Sequence, residues 1–98
     1  MIPIILLTIE KTEDREFMVD LYVEYRAFLH YKAMAVLHDE DLVEDMIQTV
    51  LLKLIQNIER VKNVKKEVLP YYLAACVRNE VYSYLRRKRW KENILSKT

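Results

Sequence analysis

Apolar residues recur every three or four positions along three long stretches of the chain, which is the spacing of one face of an α-helix. In the first stretch, Phe17, Leu21 and Phe28 mark this face, and acidic residues follow Thr12 directly. Acidic side chains favour the first turn of a helix because they face its positive end. The pattern therefore predicts a helix from Thr12 to Leu37, with Thr12 as its N-cap.

The second stretch predicts a helix from about Asp41 to Ile58. Residues 38–41 supply a turn and an N-cap, and Asp41 with Glu44 matches the capping-box spacing. Two neighbouring apolar stripes make its apolar face wide. We expect one stripe to pack in the core and the other to stay available to a partner or to another layer of the fold. The stripes are Leu42, Met46, Val50, Leu54 and Ile58, and Val43, Ile47, Leu51 and Ile55.

The third stretch predicts a helix from about Leu69 to Glu92, because Pro70 suits a first helical turn and Leu73, Val77 and Val81 supply a buried face. Residues 57–67 have a weak apolar pattern and four basic side chains, so we interpret them as a loop with room for a short helix. The fold class is all-α, a small helical bundle of three main helices, with the domain spanning 12–95.

Residues 1–11 form an apolar N-terminal arm. A membrane-spanning helix needs about 20 apolar residues, and the arm also lacks the basic start and cleavage site of a signal peptide. We expect an extended segment that covers a hydrophobic groove, either in its own fold or on a second copy.

Composition removes several classes of function. The glycine count is 0, which excludes glycine-rich phosphate loops and dinucleotide fingerprints. No metal-site spacing joins the single cysteine, Cys76, to His30 or His38, and no nucleophile has a histidine near it in sequence. We predict no enzymatic activity, no metal and no cofactor, and a cytoplasmic protein with one reduced thiol.

The formal net charge of +1 conceals two oppositely charged parts. Residues 1–59 carry five basic and twelve acidic groups, whereas residues 60–98 carry eleven basic and three acidic groups. Five of the six residues from Arg86 to Lys91 are basic, and tyrosines precede them. Cations neutralise phosphates and aromatic rings stack on unpaired bases, so this helix favours single-stranded nucleic acid. A solvated basic helix end, attracted to the acidic half, is the plainer alternative.

Two motifs stand in the second and third predicted helices. The first reads Val43-Glu-Asp-Met-Ile-Gln-Thr-Val-Leu-Leu-Lys-Leu54, and the second reads Tyr72-Leu-Ala-Ala-Cys-Val-Arg-Asn79 with the basic run after it. In this order and separation, the stretch from Leu21 to Lys91 resembles region 2 of bacterial RNA polymerase sigma factors, most closely the extracytoplasmic-function (ECF) group. The corresponding family patterns are Ala-Glu-Asp-Ile-Val-Gln-Glu-Thr-Phe-Leu-Arg-Leu and Trp-Leu-x-x-Ile-Ala-Arg-Asn.

The resemblance implies a transcription initiation domain that docks on the clamp coiled coil of the largest subunit of core RNA polymerase. Asp45, Gln48, Thr49 and Leu52 stand at the docking positions. The family usually has glutamate at the position of Thr49 and an aromatic residue at that of Leu51.

The resemblance also implies that the third helix binds the single-stranded non-template strand of the minus-ten promoter element, and that the loop 60–66 captures a flipped base. The predicted DNA-binding residues are Arg60, Lys62, Lys65 and Lys66 in the loop, and Tyr72, Arg78, Asn79, Tyr82, Arg86, Arg87 and Arg89 in the helix.

Complete sigma factors continue into a second domain that binds the minus-thirty-five element, and we expect that domain to be absent from this chain. An anti-sigma factor is a further partner of such proteins. The alternative hypothesis is a stand-alone sigma-like module for protein interaction or homodimerisation, without promoter activity. The apolar arm and the wide apolar face of the second helix motivate it.

Overall fold

Five helices make up the computed structural model, which describes residues 2–96. They are α1 (Ile4–Leu7), α2 (Thr12–Leu37), α3 (Glu40–Gln56), α4 (Ile58–Lys62) and α5 (Leu69–Ser96). The three long helices α2, α3 and α5 pack against one another, and no strand occurs in the described part. This confirms the predicted all-α bundle of three main helices, and α4 is the short helix for which residues 57–67 had room.

The core lies between the three long helices, and α3 contributes most to it. Its apolar stripes are buried in the middle and half-buried at Leu42 and Ile55, because α3 lies against both α2 and α5. Of the two expected outcomes for the second stripe, the structure shows packing against another layer of the fold and not availability to a partner. The buried apolar residues are Leu6, Met18, Leu21, Leu29, Ala33, Val43, Met46, Ile47, Val50, Leu51, Leu54, Val61, Leu73, Val77 and Val81.

The N-terminal arm covers the core of its own fold. Residues Ile4–Leu7 form a single helical turn, so the predicted extended conformation is wrong. Leu6 is wholly buried in the core cluster, which gives the turn its hydrophobic anchor. Nη1 of Arg15 donates to the carbonyl of Ile9 over 3.0 Å and holds the arm against α2. Met1 lies outside the described residues, and no helix among those described is long and apolar enough to cross a membrane.

The turn between α2 and α3 differs in part from its prediction. His38 ends α2 with a φ of 54°, the left-handed conformation that often closes a helix. Asp39 then has extended backbone and caps α3, so the N-cap lies within the predicted residues 38–41, but it is not the Asp41 of the capping-box match. Its carboxylate accepts hydrogen bonds from the N–H groups of Asp41, at 3.0 Å, and Leu42, at 3.2 Å.

Other helix boundaries shift by a few residues. Thr12 is the first residue inside α2, and Lys11 occupies the N-cap position without a side-chain capping bond, so the Thr12 cap is wrong. α3 ends at Gln56, two residues before the predicted Ile58. The bounds Thr12–Leu37 themselves are confirmed.

The C-terminal half of α5 extends beyond the bundle. Its 28 residues measure about 42 Å at 1.5 Å per residue, and the protein is 51 Å long but only 27 and 24 Å across. The helix passes the predicted end at Glu92 and continues to Ser96. Every residue from Arg86 to Ser96 is exposed, so the apolar face stops where the bundle stops.

Candidate nucleic-acid and protein interfaces

The outer side of α5 carries a row of exposed cationic and aromatic side chains. Arg78, Tyr82, Arg86 and Arg89 follow one another at spacings of four, four and three residues, which places them along one side of the helix. The ring of Tyr82 is 53% exposed. Asn79 completes a groove of about 580 Å³ along this row. An aromatic face between guanidinium groups suits a base flanked by phosphates.

A second groove runs between α2 and α5 and shares Tyr82 with the first. Tyr71 at its edge is 77% exposed, and Lys32 and Arg78 also line it. Its volume is about 560 Å³, and small side chains line much of it, namely Ala35, Ala74 and Ala75. Tyr71 and Lys32 were not among the predicted site residues. The seven-residue spacing from Tyr71 to Arg78 could have identified the tyrosine, whereas Lys32 reaches the groove from another helix.

Not all predicted residues of α5 share this surface. Arg87 follows Arg78 by nine residues, or two and a half turns, and so lies on the opposite side of the helix. Tyr72 is half-buried and packs against the core, and burial raises the pKa of its hydroxyl. Trp90 is 65% exposed on the projecting half, although the predicted set omits it.

The segment before α5 carries cations of two kinds, exposed ones and one that is paired with a carboxylate. Arg60, Lys65 and Lys66 are exposed. Lys62 is partly buried, and its ammonium donates a hydrogen bond to the carboxylate of Asp14 on α2. That hydrogen bond raises the pKa of Lys62. Three of the four predicted loop cations are therefore open to solvent, and the fourth is paired.

The outer side of α3 carries the four residues predicted to dock on polymerase. Asp45, Gln48 and Leu52 are exposed, and Leu52 is a 42% exposed apolar side chain among polar neighbours. Thr49 is half-buried, and its hydroxyl donates to the carbonyl of Asp45 over 3.1 Å. The spacing from 45 to 52 places all four on one stripe. The structure brings this predicted set together.

Gln48 also borders a groove between α2 and α3. Its volume is about 640 Å³, and Arg26 and Tyr22 of α2 form its opposite side. Pro3 of the N-terminal arm lines the same groove. Sequence patterns could not predict this neighbour, because Pro3 and Gln48 are far apart in the chain and no local spacing relates them.

A buried carboxylate joins the two functional helices. Glu80 of α5 is 5% exposed and is the buried charged residue of the described core. Nζ of Lys53 on α3 donates to its Oε2 over 2.5 Å. The sequence carries a signal for this position, because Glu80 falls seven residues after Leu73 on the predicted buried face. The pair fixes α3 against α5, and with it the two outer surfaces.

Comparison with known proteins gives one finding of similarity. A family model described as sigma-70 region 2 matches residues 21–91. No curated protein and no solved structure matches the chain. Within residues 2–96, no group of three or more histidine, cysteine, aspartate or glutamate side chains is placed to hold a metal ion.

Proposed function

The chain belongs to the sigma-70 region 2 family, and we propose that it docks on core RNA polymerase through α3 and binds the non-template strand of the minus-ten element through α5. Membership of this family implies a non-enzymatic role in transcription initiation, with core polymerase and promoter DNA as partners. The prediction of no enzymatic activity is thereby confirmed. The ECF subtype is part of the proposal and is supported by the resemblance of the two motifs.

The row formed by Arg78, Tyr82, Arg86 and Arg89 carries the DNA-binding part of the proposal. Cations alone would bind duplex and single strands alike, because both present phosphates. An exposed tyrosine between them adds stacking, which only an unpaired base accepts fully. The exposed cations Arg60, Lys65 and Lys66 precede α5 in the chain and add positive charge before its start, where we propose that a flipped base is held.

The stripe of Asp45, Gln48, Thr49 and Leu52 carries the polymerase-docking part. A partner helix packing on it would cover the exposed Leu52 and leave polar groups at the rim, which is the usual anatomy of a protein interface. The alternative of a dimerisation module rested on the arm and the second stripe of α3, and the structure places Leu6 and that stripe in the chain's own core. A cytoplasmic location follows from the proposed role, and an anti-sigma partner stays a prediction.

Capture of core RNA polymerase by the 98-residue chain tests the docking surface. Wild type should retain the enzyme, and Gln48→Ala and Asp45→Ala should each reduce retention. Glu16→Gln is the matched control, because this exposed acidic residue of α2 lies away from the stripe. Failure of a folded wild-type chain to retain polymerase would contradict the proposed docking.

Binding of labelled single-stranded DNA, with and without core polymerase, tests the second surface. The chain should bind the single strand more tightly than a duplex of the same sequence, and Arg78→Ala should weaken binding. Equal affinity for both forms would contradict a stacking surface and leave only a basic helix end.

A further inference from the structure

One ion pair joins the first turn of α2 to the last residue of α4. The ammonium of Lys62 donates to Oδ1 of Asp14, 48 residues away along the chain, and Oε1 of Glu59 lies 4.0 Å from the same nitrogen. The side chains of Lys62 and Asp14 are only 25% and 14% exposed. Lys62 therefore differs from the other cations of this region, which point to solvent.

The pair lies where the basic loop 63–68 leaves α4. Val61, next to Lys62, is 1% exposed, and its carbonyl accepts the N–H of Val64 over 3.1 Å. The N–H of Asn63 is bound in the same way to the carbonyl of Arg60. These short-range bonds transmit the position of Lys62 to the first residues of the loop. Fixing Lys62 against α2 thus fixes the direction in which the loop starts.

The loop also lies along α2 beyond the pair. Val64 and Lys66 line a groove of about 260 Å³ together with Phe17, Asp20 and Glu24 of α2. Lys65 is exposed. This part of the loop therefore lies beside α2, and Lys65 stays open to a ligand.

We propose that Asp14 and Lys62 are positioning residues that order the basic loop 63–68 for DNA binding, and that Lys62 does not itself contact DNA. The inference rests on the proposed DNA-binding function. A lysine that neutralises a phosphate releases the counterions of the nucleic acid, but Lys62 would first have to give up its hydrogen-bonded pair with Asp14, whereas an exposed lysine gives up no such pair. Asp14 precedes the family match at 21–91, so the proposal assigns a role to a residue that the match does not cover.

The variant Asp14→Asn distinguishes this proposal from the alternative that Lys62 contacts DNA. If Lys62 is a DNA contact that Asp14 restrains, removing the carboxylate will strengthen binding. If the pair orders the loop, the same change will weaken binding to a labelled single strand by about three- to tenfold, the usual size of a local coupling. Glu16→Gln, an equal change of charge at an exposed site on α2, is the control and should bind at least as tightly as wild type.

The salt dependence of binding is a second readout. Lys65→Met should reduce the magnitude of the slope of log affinity against log salt by about 0.7, the value for one phosphate contact on a single strand. The double exchange Asp14→Lys with Lys62→Asp keeps an ion pair with its charges reversed. It should therefore bind the single strand with the affinity and the salt slope of wild type, unlike Asp14→Asn. Restoration excludes a phosphate contact at position 62, because an aspartate cannot supply one.

Hydrogen exchange supplies a test that does not require DNA. Asp14→Asn should raise the exchange rates of the amides in 63–68, and Glu16→Gln should not. Unchanged exchange, or tighter DNA binding by Asp14→Asn than by Glu16→Gln, would overturn the positioning role alone. A wild-type chain that binds no single-stranded DNA would instead contradict the proposed function and this inference together.

Discussion

The helices α3 and α5 differ in the fraction of their length that is buried in the core. α3 has 17 residues and buries six apolar side chains, whereas α5 has 28 residues and buries three apolar side chains and Glu80. α3 lies between two other helices and keeps a narrow outer stripe. α5 packs against the bundle through residues up to Leu85, and from Arg86 onward all of its described residues are exposed.

This difference separates the source of stability from the source of binding. Burial of apolar surface is the main favourable term in folding, and α3 supplies the largest share of it. The exposed half of α5 contributes little to the core and concentrates positive charge, which attracts a polyanion over distances of several ångströms. Substitutions on the core side of α3 should therefore change unfolding, and substitutions on the outer side of α5 should change DNA affinity.

Leu51→Ala should have the largest effect. Leu51 is wholly buried, and truncating such a leucine removes transfer energy and leaves a cavity, at a cost of about 2–5 kcal/mol. Chemical denaturation followed by circular dichroism measures the change. Leu52→Ala, its 42% exposed neighbour, should change the unfolding free energy by less than about 0.5 kcal/mol. Equal losses would contradict the division of α3 into a core side and an outer side.

Tyr82→Ala should weaken single-stranded DNA binding by about 1–3 kcal/mol, the usual contribution of one stacked base. Its unfolding free energy should stay close to that of wild type, because the ring is 53% exposed. Fluorescence anisotropy and denaturation measure the two quantities. Tyr31→Ala is the matched control, since Tyr31 is a 69% exposed tyrosine on α2. A loss of stability without loss of affinity would assign Tyr82 to the fold and not to the ligand.

Periodicity predicted the helices well because each depends on residues close in sequence. The bounds of α2, the start of α5 and the short helix in 57–67 follow from local spacing and from Pro70. Periodicity could not say how many neighbours a helix has. The wide apolar face of α3 is compatible with a free stripe or with two packed neighbours, and the fold has the second arrangement.

The candidate sites also divide into those that local spacing predicts and those that depend on contacts between helices. The α3 stripe and the α5 row lie within single helices, so spacing places their members together. The pair of Asp14 with Lys62 and the groove between Lys32 and Tyr71 join different helices, and no local pattern indicates such contacts. Lys62 shows the consequence. Its place in a basic segment predicts a DNA contact, whereas the structure pairs its ammonium with Asp14.

Loss of the ion pair between Lys53 of α3 and Glu80 of α5 should have a smaller effect on stability. Lys53→Met leaves the carboxylate of Glu80 buried without its partner, which costs about 1–3 kcal/mol, and we expect the lower end because Lys53 is 60% exposed. Thermal unfolding checks this. Adding Glu80→Leu to Lys53→Met should recover most of the loss, since an apolar replacement removes the unpaired charge. No recovery would show that Glu80 has a second role.

Alkaline pH should produce the smallest effect, and it should come from the first half of α5, where the titratable side chains of Tyr72 and Cys76 pack against the core. Burial raises the pKa of the Cys76 thiol above 9.0 and that of the Tyr72 hydroxyl above 10.0. The folded chain therefore holds these protons more tightly than the unfolded chain does. Their contribution to stability is complete below pH 9 and is lost as pH rises through the raised values.

The double variant Tyr72→Phe with Cys76→Ala isolates this contribution, because it removes both protons and keeps the packing groups of the ring. Its unfolding free energy should fall less than that of wild type between pH 8.5 and 11, values chosen to bracket the ordinary pKa values of these groups. The pair with Asp14 also raises the pKa of Lys62 above 10.5, so its contribution starts to fall only at the upper end of this range, and it does so in both proteins. Identical pH profiles would mean that the two side chains are as open to water as the outer row of α5, which would remove the contrast between the packed and projecting halves of that helix.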